Sequence, residues 1–137
     1  MRYAMLALGL AVPALLAGQD AQTKIRSAMT AAPVAIAANA AVKDWDGTML
    51  RQGSNGWTCY PDNLETPEQE PMCLDATWAA FLEAFLAGQP PRVSAIGFGY
   101  MFAGDTPISN TDPTATAPTP TNEWVEGQPH IMMEVGS

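Results

Sequence analysis

The stretch from Cys59 to Cys73 limits this chain more than any other. It holds the only two cysteines, and between them lie three prolines, four acidic residues and almost nothing apolar. Such a spacer cannot form a core, so it reads as a surface loop running over residues 61–71 between two anchored ends. In an oxidising compartment the only available pair is expected to form a Cys59–Cys73 disulfide. Two cysteines and the single His130 fall short of the four ligands of a structural zinc site.

The N-terminus supports that compartment. Arg2 precedes an uncharged, mostly apolar run from Ala4 to Ala17, with small residues at Ala17 and Gly18, the form of a secretory signal over residues 1–18. The run is interrupted by Pro13 and is too short for a permanent membrane span. Position 19 is glutamine and not the cysteine of a lipoprotein, so no lipid anchor is expected. Secretion or a periplasmic location follows, with no membrane insertion after cleavage. The formal charge is −8, and cleavage after Gly18 would remove a base and no acid. An acidic surface repels phosphate backbones and anionic lipid, which excludes nucleic acid as an expected partner.

Residues 19–41 are Ala-rich. A helix is expected over about 21–31 with Asp20 as a possible N-cap, followed by a second short helix or an extended tether. The folded domain is expected over 42–137. Asp46-Gly47 suits a two-residue type I′ hairpin, and residues 42–60 read as a three-stranded meander ending on Cys59. Asp75 can cap a helix over 76–87, which Gly88 stops. Trp78, Phe81, Leu82, Phe85 and Leu86 form its apolar stripe, expected to pack on the sheet. In residues 92–104, Phe98 and Tyr100 alternate with Gly97 and Gly99, so one strand face is nearly bare and suits close packing of that helix. Residues 105–128 carry four prolines and six threonines and read as a long loop. A last strand over "HIMME" stops abruptly, as a truncated fragment would. The expected fold is α+β: an antiparallel sheet of about four or five strands on one main helix, with one disulfide and a long Thr/Pro-rich loop.

Candidate chemistry is sparse, and no cofactor motif is present. Any histidine-assisted reaction must use His130, with Glu134 four residues on and on the same strand face. Asp44 and Asp46 flank Trp45, but turn aspartates commonly bond their own backbone, which also accounts for Asp112. Asp105, Ser109, Asn110 and Asp112 are oxygen donors that could form a weak calcium loop, though not at EF-hand spacing. Trp45, Trp57 and Trp124, with His130, are the candidates for ligand contact, for instance with a glycan or envelope component. The tryptophan idea requires the three to share an exposed patch.

The ordered set "DWDGT", "NGWTCYPD", "PMCLD", "GDTPISNTDPTAT" and "PHIMM" resembles a group of uncharacterised exported bacterial proteins. The likeness covers about residues 42–133. It implies secretion, a shared fold and a chain that runs on beyond the histidine-methionine strand, and it implies no activity. The expected function is a non-enzymatic extracytoplasmic binding or structural protein. The alternatives are a secreted hydrolase using His130 with a carboxylate and a weak calcium-binding module.

Overall fold

The computed structural model describes residues 13–112 and 114–135, with side chains from residue 20 onward. Most of the proposed signal segment therefore lies outside the described residues. Helix α1 (Pro13–Ala28) continues into a 3-10 turn (Met29–Ala31), and Pro33 separates it from the short α2 (Val34–Ala37). The helix begins earlier than expected, so Asp20 lies inside it and pairs with Lys24 one turn on at 3.4 Å, and is not a cap. The small residues serve packing. Ala28, Ala31, Ala32, Ala37 and Ala40 are buried with Ile25, Val42 and both cysteines in one core, where alanine lets backbones approach closely.

Among the described residues eight strands follow, in two sheets: β1 (Ala41–Lys43), β2 (Met49–Arg51), β3 (Thr58–Tyr60), β4 (Met72–Leu74), β5 (Gly97–Met101), β6 (Ile108–Ser109), β7 (Trp124–Val125) and β8 (His130–Glu134). The main sheet has six strands in the order β2-β1-β3-β4-β5-β8, more than the four or five expected. Nor is it wholly antiparallel, because β3 pairs with β1 in parallel. Residues 42–60 are thus no meander. After β2 the chain crosses the entry of β1 and adds β3 on the other side.

The β1–β2 connection also differs from the two-residue expectation. Gly47 N–H donates to Asp44 O at 3.0 Å, and Asp44 N–H to Thr48 O at 2.8 Å. Only Gly47 in the turn has positive φ, +89°. That describes a three-residue loop closed by a left-handed glycine. A type I′ turn would need positive φ at two positions, and Asp46 instead accepts from Thr48 N–H at 2.8 Å to brace the turn.

The two cysteines face each other across β3 and β4, in register and joined as a disulfide. The spacer behaves as a loop with fixed ends: Pro61 and Pro71 are fully buried while Leu64 is exposed. Asp62 accepts from Glu70 N–H at 2.8 Å, which cinches the loop at its neck.

Helix α3 (Ala76–Leu86) begins where expected. Asp75 Oδ1 accepts from Trp78 N–H at 2.9 Å, and its Oδ2 accepts from Phe98 N–H at 2.7 Å, so one carboxylate caps the helix and ties it to β5. Gly88, at φ +64°, ends it. The bare face of β5 carries this helix. A Cβ at Gly97 would lie 2.9 Å from Trp78 N, and one at Gly99 would lie 2.8 Å from Leu74 Cδ2. Only half of the apolar stripe is covered: Trp78 and Leu82 pack with Tyr60, Leu74, Ala79 and Met132, whereas Phe85 and Leu86 stay exposed. The expectation that the whole stripe packs on the sheet fails in the last turn.

The Thr/Pro-rich stretch is not structureless. β6 and β7 form a separate two-stranded ribbon within it, with Ile108 opposite Val125 and Ser109 opposite Trp124. Ser109 Oγ, buried, accepts from Thr111 and Asp112 N–H. Threonine and asparagine side chains supply the turn bonds that apolar periodicity cannot reveal. No helix among the described residues is long and apolar enough to cross a membrane.

Candidate functional site

Two glycines build the site. Gly104, at φ +129°, turns the chain out of β5, and a Cβ there would sit 3.2 Å from Gln69 O. A Cβ at Gly127 would overlap the carbonyl of Asp105. The segments that lead into and out of the ribbon therefore close against each other, with Asp105 N–H donating to Gly127 O at 3.1 Å. That closure turns Asp105 inward, next to the start of β8.

Asp105 is where three clefts meet. One of about 520 Å³ is lined by Glu68, Gln69, Asp105, Glu126 and Gln128. The next, about 400 Å³, includes Asp105, Thr106, Asn110, Glu126 and His130. The third, about 520 Å³, is walled by Trp124, Pro67, Pro107 and Ile108 with Glu70 and Asp105 at its polar end. No lysine or arginine lines any of the three.

His130 Nε2 lies 3.8 Å from Asp105 Oδ2. The Nδ1 atom lies 2.7 Å from Gln128 O. A carbonyl can only accept, so Nδ1 carries a proton and Nε2 is the atom that faces Asp105. Burial pushes the Asp105 carboxyl above its ordinary value of 3.8; the charge of His130 opposes the rise and that of Glu70 adds to it. Beside it, Thr106 Oγ1 is buried with no hydrogen-bond partner among the described residues.

The raised pKa gives a signed expectation. Folded Asp105 keeps its proton to a higher pH than the unfolded chain does. The stabilisation from protonation is complete below about 3.8 and is lost as pH rises through the folded value. Asp105→Asn should therefore raise the thermal midpoint at pH 7, and this advantage should shrink to nothing as pH falls below that window. A midpoint lowered at pH 7, or unchanged with pH, would show that Asp105 is not held in a desolvated position.

The other sequence candidates separate. Trp45 packs on Tyr60 at 5.3 Å between ring centroids, and its Nε1 donates to Pro61 O at 2.9 Å. Trp57 packs on Tyr100 at 5.4 Å against the other core. Trp124 alone lines a cleft beside Asp105, so the three tryptophans share no patch. Alternation along β3 explains the split, since Trp57 and Tyr60 fall on opposite faces of the sheet.

Glu134 shares the face of His130 but pairs in register with Gly97, and Asp105 takes the place expected for it beside the imidazole. Asp44 binds Lys24 at 2.8 Å. Asp112 accepts from Thr114 N–H and Oγ1, which is the turn role expected of it. Asp105 and Asn110 line one cleft that Asp112 does not reach. Among the described residues no group of three or more His, Cys, Asp or Glu side chains is placed to hold a metal ion. Glu70, Glu126, Gln128 and Thr106 escaped sequence reasoning; the nearest signal was the pair of glycines flanking the ribbon. No protein family, curated protein or solved structure matches this chain.

Proposed function

We propose that this is an extracytoplasmic, non-enzymatic binding protein that takes a hydroxyl-rich ligand of the glycan type in the clefts around Asp105. The observation that carries the reading is the meeting of three clefts on one half-buried carboxylate, with Trp124 on the wall of one of them. An indole face stacks on the apolar face of a sugar ring, while carboxylates and amides accept and donate to its hydroxyls. Glu70, Asp105 and Gln128 supply such groups, and Thr106 Oγ1 is a polar atom with no partner among the described residues. The disulfide supports an oxidising compartment, where envelope polysaccharides are the abundant ligands.

The test is titration with cell-wall oligosaccharides of defined length, read by calorimetry. Trp124→Ala and Asp105→Asn should each weaken binding about tenfold or more, a loss on the scale of one stacked ring or one charged hydrogen bond. Trp57→Phe, remote from the clefts, should leave it unchanged. Equal affinity of the wild type and Trp124→Ala would overturn the reading.

A second reading has its own observation. His130 and Asp105 line one cleft at 3.8 Å, a couple able to activate water. Under it, the same oligosaccharides would be cleaved, and His130→Ala would abolish cleavage while leaving binding in place.

A further inference from the structure

Among the described residues strand β8 ends the main sheet, with β5 on one side and no strand on the other. Its register against β5 fixes which backbone groups are open. Asp75 N–H donates to Phe98 O at 2.9 Å, and Phe98 N–H is taken by Asp75 Oδ2, so the backbone of Phe98 faces β4. Bonding directions alternate along a strand, so Gly97, Gly99 and Met101 face β8, where they oppose Glu134, Met132 and His130. The N–H and C=O groups of Ile131 and Met133 therefore point out from the sheet edge.

Their side chains make the edge apolar as well. Ile131 and Met133 stand on the face away from α3, 56% and 59% exposed, beside Phe98 at 44%. Folded proteins guard such edges with lysine, proline or a bulge. β8 has none of these, and its pairing with β5 shows no register shift.

We propose that two copies of this chain join antiparallel along β8, about a two-fold axis through Met132. The sequence of the strand is self-complementary in that register and in no other centred on it. Ile131 meets Met133 of the second copy in both hydrogen-bonded pairs, which uses all the open backbone groups of the two residues. On the opposite face His130 stands across from Glu134 of the second copy, twice, so neither copy's Glu134 carboxylate is placed directly opposite the other. The apolar face of β5 and β8 then continues across the axis. For a molecule of net charge −8, this uncharged face is where a second copy can approach without like-charge repulsion. An antiparallel pair of this length with few buried side chains makes a weak dimer that forms as concentration rises.

Light scattering on the full chain across a concentration series tests this. The apparent mass should climb from monomer toward dimer, and Ile131→Lys/Met133→Lys should remain monomeric with an unchanged circular dichroism spectrum. Register is tested by mixing chains carrying Ile131→Cys with chains carrying Met133→Cys. The mixed pair should cross-link and neither should link to itself. A wild type that stays monomeric throughout overturns the proposal, and so does a lysine variant that still dimerises. Equal self-linking of Ile131→Cys would also overturn it, by showing another register.

Discussion

Replacing both Cys59 and Cys73 with alanine will lower the unfolding free energy by about 3 kcal/mol, the chain-entropy value for a loop of roughly 15 residues. The segment the bond closes buries side chains only at its two ends, Tyr60, Pro61 and Pro71, while its middle is exposed, so little in the spacer compensates when the constraint is released. Both cysteines are wholly buried, and they lie in the same core as Ala28, Ala31, Ala37 and Ala40. Among the described residues, the largest fully buried side chains are Leu74 and Val42, followed by two prolines and these two cysteines. A core built so largely from alanine has little transfer energy to spare, and single domains keep only about 5–15 kcal/mol of net stability. Equilibrium denaturation should show a markedly lower midpoint for the double variant, and reduction of the wild type should reproduce most of the shift. An unchanged midpoint would mean that the β3–β4 pairing is held by the ladder alone.

What the sequence made legible was local or nearly so. The Asp75 cap and the Gly88 stop act within one helix, and both stand where the residues put them. Gly97 and Gly99 announced a bare strand face, and α3 packs on it because only glycine leaves room for the backbone at Trp78. The disulfide followed from there being one pair to form. What stayed hidden depends on separations that no local period records. Asp105 reaches His130 across 25 positions, through the ribbon and two glycines, whereas alternation could offer only Glu134 as a partner. The three tryptophans looked alike in sequence, yet Trp45 and Trp57 each found a tyrosine to pack on and left Trp124 alone at the clefts. The parallel pairing of β1 with β3 was hidden too, because three short strands with turns between them suit a meander equally well.

That parallel pairing makes Gly53→Ala the other severe substitution. The segment from β2 to β3 has to pass the entry of β1, and it does so in contact with the backbone. Ser54 N–H donates to Asn39 O at 2.8 Å, and Ala41 N–H to Trp57 O at 2.8 Å, so both ends of the crossing are bonded down. Arg51 holds the same corner, with Nη2 2.6 Å from Ala37 O and 2.8 Å from Ala40 O. A Cβ on Gly53 would overlap Ala41 N and the carbonyl carbon of Ala40, which are main-chain atoms that no rotamer change can move aside. Relief would require lifting the crossing and breaking the bonds that fix it, at about 3 kcal/mol or somewhat more, the upper end for overpacking. Gly56→Ala in the same turn is the control. It has φ +78° and open space around the would-be Cβ, so its cost is the left-handed backbone alone, about 1 kcal/mol. If denaturation ranks the two in the opposite order, then β3 does not reach its place by crossing β1. The turn would instead be that of a simple meander.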